Sequence, residues 1–150
     1  MAEFVLDNAY FSVGKTTVDA TNYTSYTRSV TINFTAAEQD KTVMGDAAMA
    51  RLIGLKDCTI DVEFVQDFDA GGLDQNMYNY FNGASPSDNV IIQVGPEGGT
   101  EATTNAVYYG TFICTAYSPI SGSVGDAAGA TANFVLSSGT MVARDITPPA

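Results

Sequence analysis

Apolar and polar residues alternate most cleanly in residues 58–66, where Cys58, Ile60, Val62 and Phe64 are separated by Thr59, Asp61 and Glu63. A period of two describes a strand with one buried and one wet face. The same pattern runs through residues 25–34, with Val30, Ile32 and Phe34 inward and Ser29, Thr31 and Asn33 outward. It returns in 89–94 (Val90, Ile92, Val94) and in 131–137 (Ala132, Phe134, Leu136). Residues 107–117 are apolar on both faces, which predicts a central strand or one at a contact between subunits. Shorter extended pieces are expected within 3–13, and 140–143 is expected to pair back after a turn at Ser138-Gly139. Only residues 73–81 have helical spacing, with Leu73, Met77, Tyr80 and Phe81 on one side.

The alternation is lost in residues 35–57. Ala47 to Leu55 contains helix formers, but Gly45 and Gly54 bracket it and no cap precedes it. The segment reads as a long inter-strand loop, and connections of that length in a compact domain usually have a task. An interaction loop is the reading adopted. The tail 144–150, with Pro148-Pro149, is expected to leave the sheet as a C-terminal arm. The gap between 14 and 23 is polar and rich in turn residues, as is 119–129. With no internal repeat and no dividing linker, residues 1–150 are one mainly-β domain with one short helix and a long inter-strand loop.

Composition narrows the function. The chain has 17 acidic and 6 basic residues, a formal net charge of −11, and its bases (Lys15, Arg28, Lys41, Arg51, Lys56, Arg144) are scattered. Holding nucleic acid by its phosphates needs clustered bases, so such binding is not expected, and neither is an anionic membrane surface. The N-terminus shows no basic and apolar leader pattern, and no stretch is long and apolar enough to span a bilayer. Cys58 and Cys114 lie in strand patterns and read as buried free thiols.

Candidate chemistry is sparse. There is no His, so neither a Ser-His-Asp arrangement nor the usual zinc site is available. Gly14-Lys15-Thr16 lacks the upstream glycine of a phosphate-binding loop, since Ala9 stands there. Asp67, Asp69 and Gly72 imitate half of a calcium loop, but Tyr78 occupies the place of its bidentate Glu. They read instead as charge near a helix N-terminus. Asp61 and Glu63 share a strand face in the manner of paired carboxylates, yet there is no Trp to stack a sugar, and they read as a solvated strip. No catalytic residue, metal site or cofactor is predicted.

Residues 28–34, the loop after them, Leu52-Ile53-Gly54-Leu55-Lys56-Asp57-Cys58-Thr59-Ile60-Asp61-Val62, the helix after Asp69, and Ser123-Val124-Gly125-Asp126-Ala127 leading to Phe134-Val135-Leu136-Ser137-Ser138-Gly139 occur in an order that resembles the major tail tube proteins of long-tailed bacteriophages. The resemblance covers roughly residues 1–144. It implies a β-sandwich or squat barrel with one short α-helix on its flank, and a non-enzymatic structural subunit of the virion tail, assembled in the host cytoplasm. Copies would join in rings of six, stacked into a tube that holds a tape measure and other tail proteins and conducts the genome without binding it. The 35–57 loop would reach the next ring through Glu38, Lys41, Met44, Met49, Arg51, Leu52 and Ile53. Thr31, Thr59, Asp61 and Glu63 would face the lumen. The alternative is a monomeric β-sandwich that binds or decorates a virion.

Overall fold

The computed structural model describes residues 10–14, 21–83, 89–96, 107–137 and 142–145. Their elements in chain order are β1 (Tyr10–Gly14), β2 (Thr21–Asn22), a 3-10 turn (Thr24–Tyr26), β3 (Thr27–Asp40), β4 (Arg51–Val65), α1 (Leu73–Phe81), β5 (Val90–Gly95), β6 (Val107–Ser121), β7 (Gly129–Leu136) and β8 (Ala143–Asp145). The strands form one 8-stranded sheet in the order β2-β1-β5-β6-β7-β4-β3, with β8 paired to β6. Every pairing is antiparallel.

This sheet cannot be flat. Strands β1 and β4 are four steps apart in the ladder, which in a flat sheet would separate them by about 19 Å at the usual spacing of about 4.8 Å. Yet the rings of Phe11 on β1 and Phe64 on β4 lie 5.7 Å apart, and Tyr23 meets Phe64 edge-on at 6.4 Å. The sheet therefore curls over a single core into a squat barrel whose pairing stays open between β2 and β3. That is the mainly-β, one-helix architecture expected from the pattern.

The residues that alternate inward in the sequence supply that core. Cys58, Ile60, Val62 and Phe64 of β4, Val90, Ile92 and Val94 of β5, and Ala132 and Phe134 of β7 are buried. Register matches large to small: Phe64 sits opposite Ala130, and Val62 opposite Ala132. Pairing of this kind lets side chains interdigitate, as close-packed interiors require. Helix α1 adds Leu73 and Met77. Two tyrosines pin it. Asn76 Nδ2 donates to the Tyr23 hydroxyl at 2.7 Å, and the Tyr117 hydroxyl donates to Asp74 Oδ1 at 2.8 Å while accepting from Gln66 Nε2 at 3.0 Å.

Several expectations need correction. Residues 35–57 are mostly strand: β3 and β4 continue through them as a two-stranded hairpin, and only 41–50 is irregular. Phe34 is 46% exposed instead of buried, because β7 pairs with β4 only from Thr59 onward and the core ends there. Phe81 is 49% exposed, since the buried face of α1 consists of Leu73 and Met77. At the C-terminal end, Arg144 and Asp145 continue the sheet, and β8 pairs with Val107–Tyr109 of β6 instead of returning on β7. Strand β6 also runs on through Pro119, where register shifts accommodate the missing donor. The expected pieces in 3–9, the Ser138-Gly139 turn and the tail 146–150 lie outside the described residues.

Candidate assembly surfaces

The β3–β4 hairpin is the most unusual surface. Beyond Thr59, where β7 ends, β4 continues back to Arg51 with only β3 beside it. At roughly 3.3 Å per residue this arm projects about 25 Å from the barrel. Lone two-stranded hairpins are marginal in water, and this one is apolar. Met44 is fully exposed, Leu55 is 89% and Ile53 75% exposed, and Val43, Met49 and Leu52 are more than half exposed. Burying each such side chain is worth roughly 1.5–3 kcal/mol, and their own fold leaves that unused.

The arm is nevertheless a built object. Its end is closed by Lys41 N–H donating to the Ala50 carbonyl at 2.9 Å and Ala50 N–H donating to Thr42 Oγ1 at 2.8 Å. The Thr42 hydroxyl and then the Thr42 N–H, which donates to Asp40 Oδ1 at 2.8 Å, lower the Asp40 carboxyl from its ordinary value, and Asp46 accepts from Val43 N–H at 3.0 Å. Arg51 pairs with Glu38 at 3.1 Å across the two strands. A bulge interrupts the register between Ala36 and Glu38, and there Gly54 lies against Ala37 so closely that a Cβ would come within 3.2 Å of the Ala37 carbonyl oxygen. Extra residues of this kind bend and twist a hairpin. All the residues predicted for an interaction loop, Glu38, Lys41, Met44, Met49, Arg51, Leu52 and Ile53, are on this arm, and all are exposed.

The second surface is the wet face of β3, β4 and β7. Thr31 pairs with Asp61, Asn33 with Thr59 and Ser29 with Glu63, and on the other side Asp61 is opposite Asn133 and Glu63 opposite Thr131. With its amide nitrogen turned to the carboxylate, Asn133 donates to Asp61 Oδ1 at 2.9 Å. Thr31, Asp61 and Glu63 are exposed and Thr59 is half-buried. The four predicted residues thus share one polar sheet face backed by the core. Asp67 and Asp69 are spent on the approach to α1: Asp67 Oδ1 accepts from Asp69 N–H at 3.0 Å, and the Asp69 carbonyl accepts from Gly72 N–H at 2.8 Å. Among the described residues no group of three or more His, Cys, Asp or Glu side chains is arranged to hold a metal, and no helix is long and apolar enough to cross a membrane.

The third surface is the free edge of β3. Strand β4 pairs with one side of it, and nothing among the described residues pairs with the other along its 14 residues. Unpaired edges of that length template association with another chain. Sequence periodicity cannot identify an edge, because pairing order is set by contacts far apart in the chain.

No family model and no curated protein matches the sequence. Solved structures do share the fold over nearly its whole length. A chain in the virion of a native gene transfer agent particle is 18% identical, with a TM-score of 0.64 over 91% of this chain and 95% of that one. A chain in the tail of an empty gene transfer agent particle, of C6 symmetry, is 18% identical, with a TM-score of 0.66 over 94% of this chain and 96% of that one.

Proposed function

We propose that this chain is the repeating subunit of a phage-type tail tube, a structural and non-catalytic part of a virion tail that is assembled in the host cytoplasm. The observation that carries the reading is the apolar arm, fully formed and uncovered, on a fold shared with a chain from a sixfold tail. Exposed apolar area of this extent marks an interaction site. Copies join through the free edge of β3 into a ring, and closing the ring uses up the edges. Six copies per ring fits the symmetry of that neighbour. The arm reaches an adjacent ring.

The wet face with Thr31, Thr59, Asp61 and Glu63 lines the channel. Carboxylates there repel phosphates over about 8 Å at physiological salt, so a genome passes without adhering. Before that passage the channel holds a tape measure and other tail proteins. Electron microscopy of the purified chain tests the reading: it should show rings and tubes, and deleting residues 41–50 should leave rings that do not stack. A wild-type protein that remains monomeric at high concentration would overturn the proposal.

A further inference from the structure

Helix α1 is held to the barrel mainly by its N-terminal half. Leu73 and Met77 are its buried residues, and its hydrogen bonds with Tyr117 and Tyr23 are made by Asp74 and Asn76. Beyond them Tyr80 packs against the core, while Tyr78, Phe81 and Asn82 are exposed. The helix ends at Asn82, with φ −95° and ψ 22°, whose N–H donates to the Tyr78 carbonyl at 2.8 Å. No basic residue stands in the last turn, so the negative end of the helix dipole is unopposed there. Gly83 follows, and Asn82 is the chain's only asparagine with a glycine after it.

That pair is arranged for intramolecular chemistry. The backbone nitrogen of the residue after an asparagine can close a five-membered ring onto the side-chain carbonyl carbon. A side chain on that residue crowds the approach and restricts its backbone, and glycine does neither. Ring closure also needs the asparagine ψ to turn away from its helical value. Asn76 and Asn79 lie inside α1 and cannot turn without breaking the helix around them. Asn33 and Asn133 are fixed in the ladders of β3 and β7. At Asn82 the backbone hydrogen bond is made by its own N–H, which precedes the ψ bond, so ψ can rotate and leave it intact. The exposed Asn82 carboxamide has no hydrogen-bond partner among the described residues.

We infer that Asn82 is a site of spontaneous deamidation, which writes a permanent negative charge onto the exposed end of α1. The Gly83 backbone nitrogen bonds to Asn82 Cγ, the Cγ–Nδ2 bond breaks, and Nδ2 leaves as ammonia with the proton from the Gly83 N–H. Water then opens the succinimide at either carbonyl. Cleavage of the new N–Cγ bond gives an ordinary aspartate at position 82. Cleavage at the backbone carbonyl gives isoaspartate, with the chain rerouted through Cγ. Water is the only co-reactant, and nothing is oxidised or reduced. Each event adds one negative charge to a chain whose formal net charge is −11. The charge lies against the carbonyl end of α1, where the dipole disfavours it. The last turn therefore frays, while the Leu73 and Met77 contacts remain. None of this depends on the tube reading.

The test is mass spectrometry of peptides from the purified chain kept at mildly alkaline pH, both folded and in urea. The mass gain of an amide turned to an acid should accumulate at Asn82 of the folded chain several-fold faster than at any other asparagine, with isoaspartate among the products. G83A should slow it several-fold in both samples. Because the same slowing is expected in urea, misfolding of the variant cannot account for it. In hydrogen exchange, N82D should speed the amides of residues 80–82 several-fold and leave that of Met77 unchanged. A mass gain confined to the urea sample would overturn the inference, because the folded helix end would then hold ψ fixed. A G83A chain that reacts as fast as wild type would overturn it as well. Unchanged exchange in N82D would overturn the fraying alone.

Discussion

Tyr80, Tyr117, Cys58 and Cys114 give the molecule a measurable signature at the scale of single residues. Burial pushes both tyrosines up to about 12 and both thiols up to about 11, and it raises Tyr23 as well. These groups stay neutral in the fold to a higher pH than in the unfolded chain, where they ionise near their ordinary values. Above those values the unfolded state releases protons that the folded state retains, so stability falls as pH rises. Their stabilising contribution is complete below about pH 9 and is lost between about pH 9 and 12. With no His in the chain, no imidazole titrates between pH 6 and 8. Thermal melting across this range should show a constant midpoint near neutrality and a steady decline above about pH 9; a midpoint unchanged to about pH 11 would contradict the burial. The inward residues were legible in the sequence because alternation reports which face is dry. The partners were not. That Tyr117 reaches both Asp74 and Gln66 depends on strand order, which local pattern does not encode.

The arm shows why a whole element escaped the pattern. Alternation detects a strand with one buried face, and on the arm both faces are wet while Val43, Leu52, Ile53 and Leu55 are all exposed. A strand whose apolar residues are left uncovered has no period that its own fold can explain, so 35–57 reads as a loop. Its length and the resemblance still singled the segment out, and the structure makes it a projecting hairpin. The bulge at Gly54 offers a way to disturb the arm without touching the core. A Val there would bring its Cβ to 3.2 Å from the Ala37 carbonyl and 3.3 Å from the Ala37 Cβ. The hairpin must shift to admit it. Because β7 and the core lie beyond Thr59, G54V should change the melting midpoint little, by the equivalent of about 0.5 kcal/mol or less, as for substitutions away from packed sites. Proteases should cut the arm faster and tubes should form less readily. A large loss of stability would mean that the arm belongs to the cooperative core.

For the whole molecule the sequence supplied faces but neither curvature nor order. The curl follows from Phe11 meeting Phe64 across the barrel, a contact between residues far apart in sequence. Once curled, the barrel has one dry interior and a polar outer sheet face, and a net charge of −11 is spread over every copy. In a ring, whatever part of that charge faces the axis is concentrated on a concave wall, where fields from neighbouring copies add. Asp61 is the residue that tests which face this is. It lies mid-strand between Thr31 and Asn133, off the arm. Asp61→Lys changes the charge by two per copy on that face and gives up one hydrogen bond from Asn133, a loss of about 1 kcal/mol. Tubes should therefore still assemble at near wild-type concentration. If the β3–β4–β7 face lines the channel, the wall turns locally attractive to phosphate, and particles built with the variant should eject their genome more slowly, most visibly at low salt, where the Debye length is longest. If instead that face is on the outside of the tube, ejection should be unaffected and the variant tubes should bind added DNA along their outer surface. The two outcomes assign the face in opposite directions, and the salt dependence of either one identifies charge as the cause.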